Sequence, residues 1–106
     1  MSQKTIMLVC SAGMSTSILV KKIEEAAASK NLDRSVFAVS TTEADENIDK
    51  GNIDVLLLGP QVRFQKESYE EKAQSVGTKI AVIPMTDYGT MNGENVLELA
   101  ESLMTE

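Results

Sequence analysis

The chain has 106 residues, with 10 Lys and Arg against 16 Asp and Glu for a net charge of −6, 42% hydrophobic residues, no histidine and one cysteine. An acidic chain with scattered cations is repelled by a phosphate backbone, which excludes nucleic acid as the expected partner. The absence of histidine excludes Ser-His and Cys-His nucleophile pairs and a phosphohistidine on this chain, and no metal site is expected.

This length fits one domain, 1–106, and the apolar content suffices for a core without metal or disulfide staples. A lone cysteine forms no internal disulfide and fits a reducing cytoplasm. Met1-Ser2-Gln3-Lys4 leads into a strand-like segment without the basic and apolar regions of a signal peptide. No apolar run approaches the ~18 residues of a membrane span. The expectation is a soluble, cytoplasmic chain with no direct membrane insertion.

Taken in chain order, Ile6-Met7-Leu8-Val9 is a continuous apolar run, the pattern of a strand buried on both faces. From about Ser15, Leu19, Ile23, Ala26 and Ala27 follow the spacing of an amphipathic helix. Val36–Val39 predicts a second strand, and Thr42–Lys50 a helix with Ala44 and Ile48 inward, closed by Gly51. Ile53–Leu58 predicts a third strand, stopped by Gly59-Pro60. Val62, Tyr69, Ala73 and Val76 mark a third helix ended by Gly77. Lys79–Ile83 predicts a fourth strand, ended by Pro84. Val96, Leu97, Ala100, Leu103 and Met104 give a last helix with Asn92 as its N-cap. The alternation βαβαβαβα implies an α/β three-layer sandwich: a four-stranded parallel sheet, order 2-1-3-4, with helices on both faces. Ligands of such sheets bind beyond the carboxyl ends of the strands, where strand order reverses.

The first βα turn reads Cys10-Ser11-Ala12-Gly13-Met14-Ser15-Thr16-Ser17. A buried strand ends at the cysteine, small residues let successive N–H groups turn inward around an anion, and Gly13 permits backbone angles closed to most residues. A helix then begins, adding its positive terminus and unpaired donors. A thiol placed there favours its thiolate, the nucleophilic form. The alternative is a small apolar residue at a strand end; the coincidence of strand, cysteine, small-residue loop and helix favours function. Cys10 is the candidate nucleophile. Ser11, Ala12, Gly13, Met14, Ser15, Thr16 and Ser17 are the candidate phosphate-binding residues, chiefly through backbone amides, with hydroxyl help from Ser11, Thr16 or Ser17.

Val9 to Ser17 closely resembles the active-site loop of enzyme IIB of the bacterial sugar phosphotransferase system, lactose/cellobiose/chitobiose type. Leu57-Leu58-Gly59-Pro60-Gln61 matches that family's Gly-Pro-Gln turn, and Tyr88-Gly89 is a looser match in the last βα loop. The resemblance covers nearly the whole chain. It implies a phosphocysteine carrier that takes phosphate from a phosphohistidine on a IIA protein and gives it to a sugar held by the membrane IIC permease, with no cofactor in the cysteine step. It also implies the low-molecular-weight tyrosine phosphatase fold, whose Cys-x5-Arg-Ser loop this one resembles. Here the position six after the cysteine is Thr16, not Arg, so bidentate stabilisation of the phosphoryl oxygens is missing. The Asp-Pro acid of those phosphatases has no counterpart at Asp87-Tyr88. A stand-alone phosphatase is thereby disfavoured, and a non-catalytic module reporting phosphorylation state is the other alternative.

Gln61 and Tyr88 are the candidate rim or partner-contact residues, against the simpler reading of Gly59-Pro60-Gln61 as a turn entering a helix. Asp87 reads as a turn former. Met14 is the apolar side chain best placed to meet a partner, and Met85 and Met91 lie near the same face. Glu67 to Lys72, Glu101 and Glu106 read as solvated helix faces.

Overall fold

The computed structural model describes residues 4–10 and 14–104. Strand β1 (Lys4–Cys10) lies centrally, and helix α1 (Met14–Ser29) crosses to β2 (Arg34–Ser40), an outer strand. Helix α2 (Thr41–Asp49) returns to β3 (Val55–Leu58), on the other side of β1. A 3-10 turn (Pro60–Gln65) and α3 (Lys66–Val76) lead to β4 (Lys79–Val82), then a short α4 (Met85–Gly89) and α5 (Gly93–Met104). The four strands pair in the order 2-1-3-4, all parallel, as their sequence pattern predicts.

Strand alternation divides the apolar residues between two cores. Ile6, Leu8, Val55 and Leu57 face α1 and α5, packing on Leu19, Ile23, Val96 and Leu97. Met7, Val9, Leu56 and Leu58 face α2 and α3, packing on Ala44, Ile48 and Tyr69. Burial on both sides explains why β1 and β3 read as unbroken apolar runs. Each fully buried Leu or Ile contributes about 1.5–3 kcal/mol relative to exposure.

Element ends follow local chemistry. Gly51 and Gly77 have φ of 72° and 78°, the left-handed region that lets a chain leave α2 and α3. The Asn95 N–H donates to Asn92 Oδ1 at 3.0 Å, so Asn92 caps α5 as its position suggests.

Three expectations are corrected. Val62 does not belong to the third helix: its φ of −118° interrupts the 3-10 turn, which Pro60 begins, and regular helix starts only at Lys66. Val76, on the predicted inner stripe, is 36% exposed. Glu101 is no solvated residue. It accepts hydrogen bonds from Arg34 Nε at 2.5 Å and Nη2 at 2.7 Å, tying α5 to the start of β2. The Glu101 hydrogen bonds hold the Arg34 guanidinium pKa above its ordinary value. Glu106 lies outside the described residues.

Candidate functional site

Parallel strands carry their carboxyl ends to one edge of the sheet, and β1 stands between β2 and β3, where the chain reverses its direction of progress across the sheet. Cys10 is the last residue of β1 and is buried, 3% exposed. Ser11, Ala12 and Gly13 lie outside the described residues, and of Met14 and Ser15 only the helical backbone is described. The phosphate-binding expectation on those five residues is therefore carried by sequence alone.

Thr16 falls in the first turn of α1 and turns inward, 1% exposed, while Ser17 beside it is exposed. A buried hydroxyl is costly unless hydrogen-bonded. Thr16 Oγ1 meets Cys10 Sγ at 2.5 Å and the Tyr88 hydroxyl at 3.1 Å. Thr16, one of the three hydroxyls expected to help hold the anion, thus reaches the sulfur from the position where the phosphatase pattern has arginine. The chain's two arginines lie elsewhere: Arg34 is held by Glu101, and Arg63 Nη1 donates to the Pro60 carbonyl at 2.9 Å.

Tyr88 ends up beside the cysteine because β4 and α4 follow β3 along the same edge. Tyr88 is 7% exposed and belongs to the core under α1 and α5, while its hydroxyl reaches Thr16. Gly59 stands close to both the ring and the cysteine. Its N–H donates to the Val9 carbonyl at 2.9 Å, bringing the turn after β3 alongside the end of β1. A Cβ at residue 59 would stand 3.1 Å from Gln61 Oε1, 3.4 Å from Cys10 Cβ and 3.5 Å from Tyr88 Cε2. Cys10, Gly59, Gln61 and Tyr88, all singled out from sequence, thus form one neighbourhood. Asp87 does not supply an acid aimed at it: Oδ1 accepts from Asn95 Nδ2 at 3.0 Å, within the α4–α5 connection.

Gln61 and Tyr88 also line an open cavity of about 230 Å³, together with Pro60, Arg63, Met85 and Gly89. Of its lining, Met85 is a large apolar side chain left 67% exposed; Phe64, 76% exposed, belongs to the 3-10 turn that supplies Pro60, Gln61 and Arg63, and Ile18 on α1 is 54% exposed. Sequence reasoning named Met85 but missed Phe64 and Ile18. Neither breaks an obvious pattern, and exposure follows only from the 3-10 turn and the rotation of α1.

Comparison with known proteins places this geometry. Residues 5–99 match the family described as "PTS system, Lactose/Cellobiose specific IIB subunit". Two Lactococcus lactis proteins, named galactose-specific and cellobiose-specific EIIB components, are each 48% identical over 98% of this chain and 99% of their own length. An oligo-beta-mannoside-specific EIIB component from Bacillus subtilis is 40% identical over 95% of this chain and 96% of its own. Among solved structures, a cellobiose-specific IIB component from Borrelia burgdorferi aligns with a TM-score of 0.78 at 46% identity, covering 98% of this chain and 94% of its own. The lactose-specific IIB domain from Streptococcus pneumoniae aligns at 0.84 with 16% identity, covering 96% and 98%, a likeness of fold.

Proposed function

Because the chain belongs to the lactose/cellobiose-specific IIB family of the sugar phosphotransferase system, we propose that it is the phosphoryl carrier of such a system, with Cys10 as the carrier residue. The observation that carries the reading is the placement of the chain's one cysteine at the carboxyl end of a central strand, three residues short of α1, with the Thr16 hydroxyl on its sulfur.

In the receiving half, the Cys10 thiolate attacks the phosphorus of a phosphohistidine on a IIA protein. The S–P bond forms as the N–P bond breaks, and the N–P electron pair stays on the donor imidazole. In the delivering half, a sugar hydroxyl held by the membrane IIC component attacks the same phosphorus. The O–P bond forms, the S–P pair returns to sulfur, and the hydroxyl proton passes to a base on the acceptor side. Backbone amides from 11 to 17, together with the start of α1, hold the phosphoryl oxygens through both halves. The whole chain serves as one such domain.

A carrier differs from a phosphatase in what it leaves out. Thr16 in place of a guanidinium, and an Asp87 engaged by Asn95, remove the groups that would speed hydrolysis of a phosphocysteine. The sugar is selected by the permease, since the carrier need only present a phosphoryl group; two relatives of equal identity bear different sugar names, consistent with this. The test is incubation with a phosphorylated IIA protein followed by intact mass. A gain of one phosphoryl group, lost on adding the cognate permease and sugar, is expected. No gain from any IIA protein of the lactose/cellobiose type contradicts the proposal.

A further inference from the structure

The cysteine sulfur and two buried hydroxyls form a chain of three groups, Cys10 Sγ, Thr16 Oγ1 and Tyr88 Oη, spaced 2.5 and 3.1 Å apart. Their protons can be assigned by counting. A cysteine that attacks phosphorus does so as the thiolate, which has no proton to donate. The first bond is then donated by Thr16. A threonine hydroxyl has one proton, so with that proton committed to sulfur its oxygen can only accept from Tyr88. The direction Tyr88 to Thr16 to sulfur is the one compatible with the reactive state.

From this we infer that Tyr88 is a positioning residue for Cys10, acting through Thr16: it donates to one lone pair of the Thr16 oxygen and so favours the rotamer that aims the Thr16 proton at the sulfur. This rests on the reading of Cys10 as the reacting group. The geometry suits the role. Thr16 is 1% and Tyr88 7% exposed, so water competes little for the bonds, and each donor in such a chain polarises the next. The tyrosine ring is fixed by the core beneath α1 and α5, with Gly59 leaving space between it and the cysteine. When sulfur becomes bonded to phosphorus it ceases to be an anionic acceptor, and the Thr16 hydroxyl is released to turn toward a phosphoryl oxygen. On delivery the sulfur regains its charge and the chain re-forms. The same three groups therefore assist sulfur both as nucleophile and as leaving group. They supply no proton to the reaction, and a guanidinium at position 16 could not take part, because it has no acceptor for the Tyr88 proton.

The experiment is a double-mutant cycle on Thr16 and Tyr88, read by the rate of Cys10 alkylation with iodoacetamide at fixed pH and by the rate of phosphoryl transfer from a phosphorylated IIA protein. Urea unfolding accompanies each variant. Thr16→Val should slow both reactions about 10-fold, as expected for losing a hydrogen bond to a charged group. Tyr88→Phe, which keeps the ring, should slow both roughly 3- to 5-fold, a loss typical of one neutral hydrogen bond. The decisive arm is coupling: in the Thr16→Val background, Tyr88→Phe should cause no further loss, whereas in Thr16→Ser, which retains a hydroxyl, the loss should return. A Tyr88→Phe loss of equal size in both backgrounds, or none in wild type, overturns the inference. If Thr16→Val fails to fold, Thr16→Ala serves as the background. The two readouts separate the claims. Alkylation coupled as described but with no transfer in wild type rejects the carrier reading and keeps the relay. Normal transfer with uncoupled alkylation does the reverse.

Discussion

Gly93 lies against the backbone of Lys22 so closely that a Cβ at residue 93 would stand 2.4 Å from the Lys22 carbonyl carbon and 2.5 Å from its oxygen. The first residue of α5 thus rests on the middle of α1, the helix into which the cysteine loop runs. Backbone cannot step aside as a side-chain tip can. Gly93→Ala should therefore push the two helices apart and destabilise the fold by about 1–3 kcal/mol, read as a lower urea midpoint. An unchanged midpoint would show that the contact yields without cost.

Hydrolysis is the second point at which the account is exposed. With Thr16 at the phosphatase arginine position and Asp87 bonded to Asn95, two transition-state groups are missing, and each such group is ordinarily worth on the order of 10²–10³ in rate. The protein should scarcely turn over p-nitrophenyl phosphate. Brisk turnover that disappears in Cys10→Ser would return the molecule to the phosphatase class.

The exposed apolar residues beside the cavity should form the surface on which the phosphoryl donor docks. In-line attack brings phosphorus to roughly 3–3.5 Å from sulfur, which demands that water be excluded above Cys10. Met85 lines the cavity and is 67% exposed, and Phe64, 76% exposed, belongs to the 3-10 turn that supplies three of its lining residues. A carrier must also release its partner, so the contact is expected to bury less than ~1,200 Å² in total. Phe64→Asp and Met85→Asp should raise the donor concentration needed for half-maximal transfer, with alkylation of Cys10 unchanged. Transfer indifferent to both substitutions would place the docking surface elsewhere.

Burial in the core between the sheet and α3, aided by the charge of Asp45, pushes the Tyr69 phenol above its ordinary 10.0. A raised value means that the fold favours the neutral phenol. That contribution is complete below about pH 10 and is lost as pH rises through the folded value. Tyr69→Phe removes the ionisable group while keeping the ring. Its urea midpoint should fall less steeply above about pH 10 than that of wild type. Parallel curves would mean that Tyr69 is no part of the alkaline loss.

Most of the architecture was legible because it rests on short-range patterns. Unbroken apolar runs at Ile6–Val9 and Val55–Leu58 disclosed strands covered on both faces, and their alternation with helical spacing fixed a parallel sheet. The cysteine loop was legible because strand end, small residues and helix start are consecutive. Tyr88 and Thr16 were each noticed, yet their contact spans 72 positions, and no periodicity connects them; that Tyr88, expected at the rim, is also part of the core follows only from the tertiary fold. Glu101 read as solvated because an acidic residue on a helix ordinarily is, and only the tertiary approach of Arg34 makes it a partner. The short helix at Met85–Gly89 was missed because five residues after a proline offer no periodicity, leaving turn chemistry at Asp87 as the stronger local signal.

Whether sulfur carries the phosphoryl group is read by peptide mapping of the protein after transfer from a phosphorylated IIA partner. One phosphoryl group is expected on the peptide containing Cys10, bonded to sulfur. Cys10→Ser, nearly isosteric, should fold normally and accept none. A phosphoryl group found on Ser11, Thr16 or any other hydroxyl, or persisting in Cys10→Ser, would contradict sulfur as the carrier.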